Sequence, residues 1–222
     1  MKKFKLTSNT KVVLGRTLYQ IESLIDFASV RVGEKGGWIE SEKNLSQDGN
    51  SWVCGNAKVY GDAKVYDNAW VCDNAKVYGD AWVCGNATVR DNAKVYGDAW
   101  VCGNATVRGN AKVCGNAKVY GDAEVYGNAW VRGNATVYGD AEVHGDAKVY
   151  DNADLLWISR IGSRLGTTTV FKDAKKGLSV SCGCFLGTLE EFEKKIAKTH
   201  GDNKFAREYQ ALIALIKIHF EI

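Results

Sequence analysis

The sequence predicts a mainly β protein: a three-sided parallel solenoid closed at each end by extra structure. Three observations lead there. From Val53 to Tyr150 the unit A-x-V-x-[GD]-[ND] repeats without insertion, with alanine at every sixth position from Ala57 to Ala153 and valine from Val53 to Val149. Such short units cannot bury an apolar face alone and must stack on their neighbours. A longer period overlies the short one: residues 77–94 read VYGDAWVCGNATVRDNAK and residues 95–112 read VYGDAWVCGNATVRGNAK, so the structural unit is eighteen residues, or three hexads. The 222-residue chain also lacks proline, which in a central strand would delete a ladder hydrogen bond.

Within a hexad, Ala and Val stand two apart, the alternation of a strand with one buried face. Gly or Asp followed by Asn or Asp tolerates left-handed backbone angles and turns the chain. Three strands and three corners make one coil, and the seventeen hexads make five to six coils, a prism about 25–30 Å long at the spacing of neighbouring strands. Valines fill the axis and alanines the corners, each buried valine contributing about 1.5–3 kcal/mol before entropy is subtracted. Val101→Asp is therefore expected to be far more damaging than a change at Tyr96.

Composition shifts near Asn50 and Asp154 divide the chain into an N-terminal β cap (1–50), the solenoid (51–154) and an α+β C-terminal domain (155–222). In the first segment, 4–6, 11–14, 18–21, 30–32 and 38–40 read as short strands that cover the exposed edge of the first coil. Beyond Asp154 the period of six stops. Residues 156–161, 167–172 and 178–181 read as strands, Thr188 with Glu191 as a capping box opening a helix to about residue 199, and Asp202 or Asn203 as the cap of a second helix to about residue 220. Phe205, Tyr209, Leu212, Ile213, Ile216 and Phe220 form one helical stripe, expected to pack on the domain's own sheet.

The inward aliphatic and the small residue four positions on resemble the hexapeptide-repeat family, whose members form left-handed parallel β-helices. The resemblance covers residues 51–154 and implies the left-handed winding. One departure is that the family more often has Gly directly after the aliphatic, where this chain has Tyr60, Cys54, Arg90 or His144. Residues 36–46, GGWIESEKNLS, resemble the lead-in of uncharacterised bacterial and prophage-encoded repeat proteins. Residues 161–164, IGSR, and 183–192, GCFLGTLEEF, are similar to a module at the end of phage proteins of this type. The resemblance implies a phage or prophage source.

Nothing approaches the roughly 18 consecutive apolar residues of a membrane span, and residues 1–5 do not lead into an apolar run of the signal-peptide kind. The expected location is the cytoplasm of a bacterial host. Cys54 with Cys72, and Cys84 with Cys102, fall eighteen apart and stack on adjacent coils, close enough to bridge. In that compartment they are expected to stay reduced. The solenoid carries ten Lys and Arg against thirteen Asp and Glu, which argues against a general nucleic-acid binder with its basic stripe.

Many hexapeptide-repeat proteins are acyltransferases using a coenzyme A thioester, with a histidine base and a loop interrupting the repeats. Here the hexads are uninterrupted, and His144, the only solenoid histidine, reads as a solvated outward residue. His200 and His219 lack a catalytic setting, and Cys182-Gly183-Cys184 lacks partners at zinc spacing. The corner Asp and Asn residues lack the nonapeptide spacing of calcium β-rolls, and no phosphate loop follows any glycine pair. No cofactor and no metal is expected.

The outer faces carry the functional signal. Every eighteenth position builds a face with Lys58, Lys76, Lys94, Lys112 and Lys148 beside Tyr60, Tyr78, Tyr96 and Tyr150. A second stacks Trp82 on Trp100, with Tyr66, Tyr120 and Tyr138 alongside. The third carries Thr88, Thr106, Arg90 and Arg108, then Glu124 and Glu142. Flat faces rich in Tyr, Trp and Arg have the composition of a binding surface. The expectation is a non-enzymatic interaction platform for a host protein or a small anionic ligand, such as a defence protein or its signal molecule. The Lys/Tyr face would suit a nucleotide, and the Trp face a protein or a second copy of the chain. The alternatives are an acyltransferase-like enzyme and a self-assembling structural protein.

Overall fold

The computed structural model describes residues 2–222. Its centre is a three-sided parallel β-solenoid. The strands of one face pair at a register of eighteen residues, as in Lys76↔Lys94 and Val77↔Val95. The arginine face is a six-stranded sheet with one strand per coil, giving six coils. The tryptophan face has five strands, and the lysine face belongs to a nine-stranded sheet that continues into the N-terminal segment.

Burial follows the hexad. Every repeat valine from Val53 to Val149 and every repeat alanine from Ala57 to Ala147 is buried. Ala153 is exposed, because the chain leaves the last coil through the short turn Asn152–Asp154. The first corner residue of each hexad from Gly55 to Gly145 adopts a positive φ between 59° and 75°. Glycine supplies this freely; Asp67, Asp73 and Asp91 adopt it too, each using its carboxylate to accept the corner N–H of the next coil at 2.8–3.1 Å. The next corner position forms amide ladders, for example Asn50 to Asn68 to Asn86 to Asn104 to Asp122.

Strand β1 (Phe4–Val13) and strand β2 (Arg16–Ser23) form an antiparallel hairpin, and β3 (Lys35–Ile39) pairs antiparallel to β2 and parallel to the first lysine-face strand of the repeat. The runs 4–6 and 11–13 are parts of one strand, with an irregularity in register between Leu6 and Thr10, and Leu14 belongs to the turn that follows. Residues 30–32 form no strand: Val30 makes one bridge to Phe27, and Asp26 accepts the Val32 N–H. The first coil begins before the repeat and ends at its first valine, built from β3, Leu45 bridging Val65, and Trp52–Val53.

Bonds between coils include N–H groups that donate to carbonyls of the coil that follows, as Asn86 does to Gly103 O, and N–H groups that donate back to the coil before, as Gly85 does to the Asp67 carboxylate. The first and last coils each lack a neighbour on one side, so some carbonyls of the first and some N–H groups of the last take partners from outside the repeat, being costly if buried and unpaired. Lys3, 1% exposed, meets the first deficit: its ammonium donates to Ser51 O at 2.9 Å and to Asp48 O and Gly49 O at 3.3 Å. Its burial pushes the pKa down to about 8. Acceptors meet the second. Asn152 accepts from Thr136 N at 2.8 Å, Asp154 from Tyr150 N at 2.9 Å, and Thr169 Oγ1 from Glu142 N at 3.1 Å.

The C-terminal domain is a four-stranded antiparallel sheet, Leu155–Ile161, Gly166–Asp173, Gly177–Cys182 and Phe185–Gly187, followed by α1 (Leu189–His200) and α2 (Lys204–His219). Its sheet has two apolar faces. Leu155 and Phe171 join the solenoid core, while Val170 and Val180 pack with Phe192, Ile196, Leu212 and Ile216 of the helices. The Thr188–Glu191 capping box and the Asn203 cap both form. Among the described residues no helix is long and apolar enough to cross a membrane.

The cysteine expectation is corrected. Cys54–Cys72 and Cys84–Cys102 are disulfides, each with Cα atoms 4.6 Å apart. Coil spacing alone brings in-register thiols into the Cα range a disulfide requires, so an eighteen-residue separation permits the bond within the stack.

Candidate functional site

The three faces differ in how much of their chemistry remains free. On the lysine face, Lys58, Lys76, Lys94 and Lys112 form one in-register column. Burial, then the charges of Lys11 and Lys76, lower the Lys58 pKa. Tyr60, Tyr78 and Tyr96 stack nearly parallel at 5.0 and 4.9 Å. Ring faces that stack on one another are not open to a ligand, and Tyr60 is only 5% exposed. The hydrogen bond with Cys114 heads the causes that push Tyr96 up to about 12.

On the arginine face, Arg108 is already engaged. It pairs with Glu124 at 3.1 Å and lies over the Tyr126 ring at 4.1 Å. Arg90 is exposed and makes no salt bridge among the described residues. His144 is not a solvated outward residue: it is half-buried where the C-terminal sheet closes the prism. Its ring stacks on Tyr126 at 4.6 Å, meets Phe171 edge-on and bonds Ser181 Oγ at 2.9 Å. Burial, followed by the charge of Arg108, lowers its pKa.

The tryptophan face is the most open. Trp82 and Trp100 stack at 5.2 Å, with Tyr66 edge-on to Trp82 at 5.8 Å. Tyr120 and Tyr138 stack at 5.4 Å in the neighbouring column, and Trp157 of the C-terminal domain closes on Tyr138 at 4.3 Å. Trp100, Tyr120 and Tyr138 are 44%, 41% and 43% exposed. Between Trp100 and Tyr120 runs a groove of about 500 Å³, floored by Cys102 and Val119 and edged by Lys118. The ammonium groups of Lys64 and Lys118 lie 5.3 and 5.6 Å from the Trp82 and Trp100 rings. No protein-family model matches the chain, and no curated protein does.

Trp82 and Trp100 thus stand together at an accessible site. Lys58, Lys76, Lys94, Lys112, Tyr60, Tyr78 and Tyr96 form a separate face whose tyrosine rings stack on one another, and Arg90 and Arg108 lie on the third. Sequence reasoning missed Lys118 as part of the aromatic groove, although its position eighteen residues after Trp100 was the available signal. It also passed over Trp157, because nothing local in the sequence ties that residue to Tyr138. Among the described residues no group of three or more His, Cys, Asp or Glu side chains is placed to hold a metal ion.

Proposed function

We propose that this chain is a rigid, non-enzymatic interaction platform whose tryptophan face docks a protein partner. The observation that carries the reading is the groove between Trp100 and Tyr120, where large aromatic rings remain substantially exposed on a rigid sheet. Aromatic side chains supply large contact area at low entropic cost and dominate binding hot spots. Two flanking lysines favour a partner with acidic groups around an apolar contact. We place the platform in a bacterial host cell, encoded by a phage or prophage, with a host defence protein or its signal molecule as target. Left-handed winding and kinship with hexapeptide-repeat proteins belong to the same proposal.

The acyltransferase alternative draws no support from His144, whose ring is held by Tyr126 and Ser181 at a domain junction. End-to-end assembly would require displacing Lys3 at one end and Thr169, Asn152 and Asp154 at the other. The test is native mass spectrometry of protein purified gently from a bacterial host, repeated with Trp100→Ala/Tyr120→Ala. A retained host protein lost in the variant is the expected outcome. A partner retained equally by the variant overturns the assignment to this face, and acetyl-coenzyme A binding abolished by His144→Ala would favour the enzyme instead.

A further inference from the structure

The C-terminal domain holds a second cavity, of about 370 Å³, on residues other than those of the tryptophan face. It lies where the hairpin Cys182-Gly183-Cys184-Phe185 meets α1 and α2. Phe185, Phe192 and Ile196 give it an apolar wall, and Tyr209, 7% exposed, closes one side. Each of these side chains also packs in the domain core, so the wall is preformed. The His200 ring stacks on Tyr209 at 5.7 Å and lengthens that wall.

Charge makes the cavity specific. Arg164 and Lys195 line it, and no Asp or Glu does. Four glutamates of the helices are committed elsewhere: Glu190 to Lys194, Glu193 to Lys217, Glu191 to the Thr188 N–H, and Glu208 to Lys204 and the Gly162 N–H. Arg164 and Lys195 make no salt bridge among the described residues, whereas Lys172, Lys175, Lys194, Lys204 and Lys217 of the same domain do. Two unpaired cations beside a preformed apolar wall attract an anion that has an apolar body.

We infer that this cavity binds a small amphipathic anion, its rings or alkyl body against Phe185, Phe192 and Ile196 and its carboxylate, sulfonate or phosphate at Arg164 and Lys195. The exposed Cys184 thiol stands in the lining and reports occupancy.

The test uses a matched pair of fluorescent probes with the same ring system, the anionic 8-anilinonaphthalene-1-sulfonate and the neutral N-phenyl-1-naphthylamine. In the full chain the sulfonate is expected to bind at least tenfold more tightly and to slow alkylation of Cys184 by iodoacetamide, read by peptide mass spectrometry. Arg164→Gln/Lys195→Gln should weaken the sulfonate at least tenfold and leave the neutral probe within twofold. Both changed residues are exposed, so the fold is expected to survive, and the Cys184 protection in the unmodified chain needs no variant. Equal affinity for the two probes, or Cys184 alkylated at the same rate with the sulfonate present, would overturn the inference. Because Trp100→Ala/Tyr120→Ala leaves this cavity intact, failure here and failure at the tryptophan face are separate results.

Discussion

Gly97 offers a sharp test of how the corners work. Its φ is +71°, and a Cβ built there would stand 3.0 Å from the Gly115 nitrogen of the next coil. Gly97→Ala therefore incurs two costs. Left-handed backbone costs a non-glycine residue about 1–2 kcal/mol, and the crowded stack adds overpacking of about 1–3 kcal/mol. The sum, about 2–5 kcal/mol, corresponds to a fall in melting midpoint of roughly 4–20 °C for a chain of this size. Gly97→Asp adds a larger side chain and is nonetheless expected to be milder. At Asp91 the carboxylate accepts the Gly109 N–H of the next coil at 2.8 Å, and an aspartate at 97 would reach the Gly115 N–H in the same way. That bond recovers about 1 kcal/mol, and aspartate tolerates the left-handed region better than alanine. Gly97→Asn provides the same geometry without charge. Far-UV circular dichroism melts of the four proteins decide the matter. Aspartate and asparagine variants melting at or below the alanine variant would refute the idea that corner carboxylates compensate for their backbone strain.

Three further expectations follow from other parts of the molecule. Denatured, unreduced protein should react with about three equivalents of a thiol reagent, from Cys114, Cys182 and Cys184, rising to seven after reduction; loss of each eighteen-residue bridge should cost about 3 kcal/mol in a chain-entropy treatment. His144 has a lowered folded-state pKa, so the unfolded chain takes up its proton first. Its contribution to stability is complete above the ordinary histidine value near 6.5 and is lost as pH falls below it. Glu142, raised mainly by burial and then by Glu124, acts in the opposite sense, so the informative quantity is the stability difference between wild type and His144→Gln, which should shrink as the pH is lowered from about 7 to 5. Thr188→Ala removes the hydroxyl that accepts the Glu191 N–H and should lower C-terminal domain stability by about 1 kcal/mol, visible as faster amide exchange in the first turn of α1.

The parts of the fold that were legible in the sequence are those determined within eighteen residues. Ala and Val repeat inward, Gly and Asp turn the corners, and Thr188 and Asn203 start the helices, so each can be read from its own neighbourhood. Contacts between distant segments were not legible. Lys3 reaches Ser51, and Thr169 reaches Glu142, to satisfy groups orphaned only because a solenoid has a first and a last coil; neither Lys3 nor Thr169 looks unusual locally. The same holds for His144, which reads as outward from its hexad and is covered by a sheet that begins only at Leu155. The candidate faces were placed in the right columns, but their availability was not. Tyr60, Tyr78 and Tyr96 use their ring faces on each other, whereas Trp100 and Tyr120, in different columns, leave a groove between them.

The solenoid also fixes distance between its ends in discrete steps. Because one coil returns the chain to the same side of the prism, inserting or deleting a single eighteen-residue unit should move the C-terminal domain by about 4.8 Å along the axis while leaving its orientation about that axis nearly unchanged. The segment between the N-terminal hairpin and the C-terminal cavity is thereby a molecular spacer whose length duplication can adjust, one rung at a time, without redesigning either terminus.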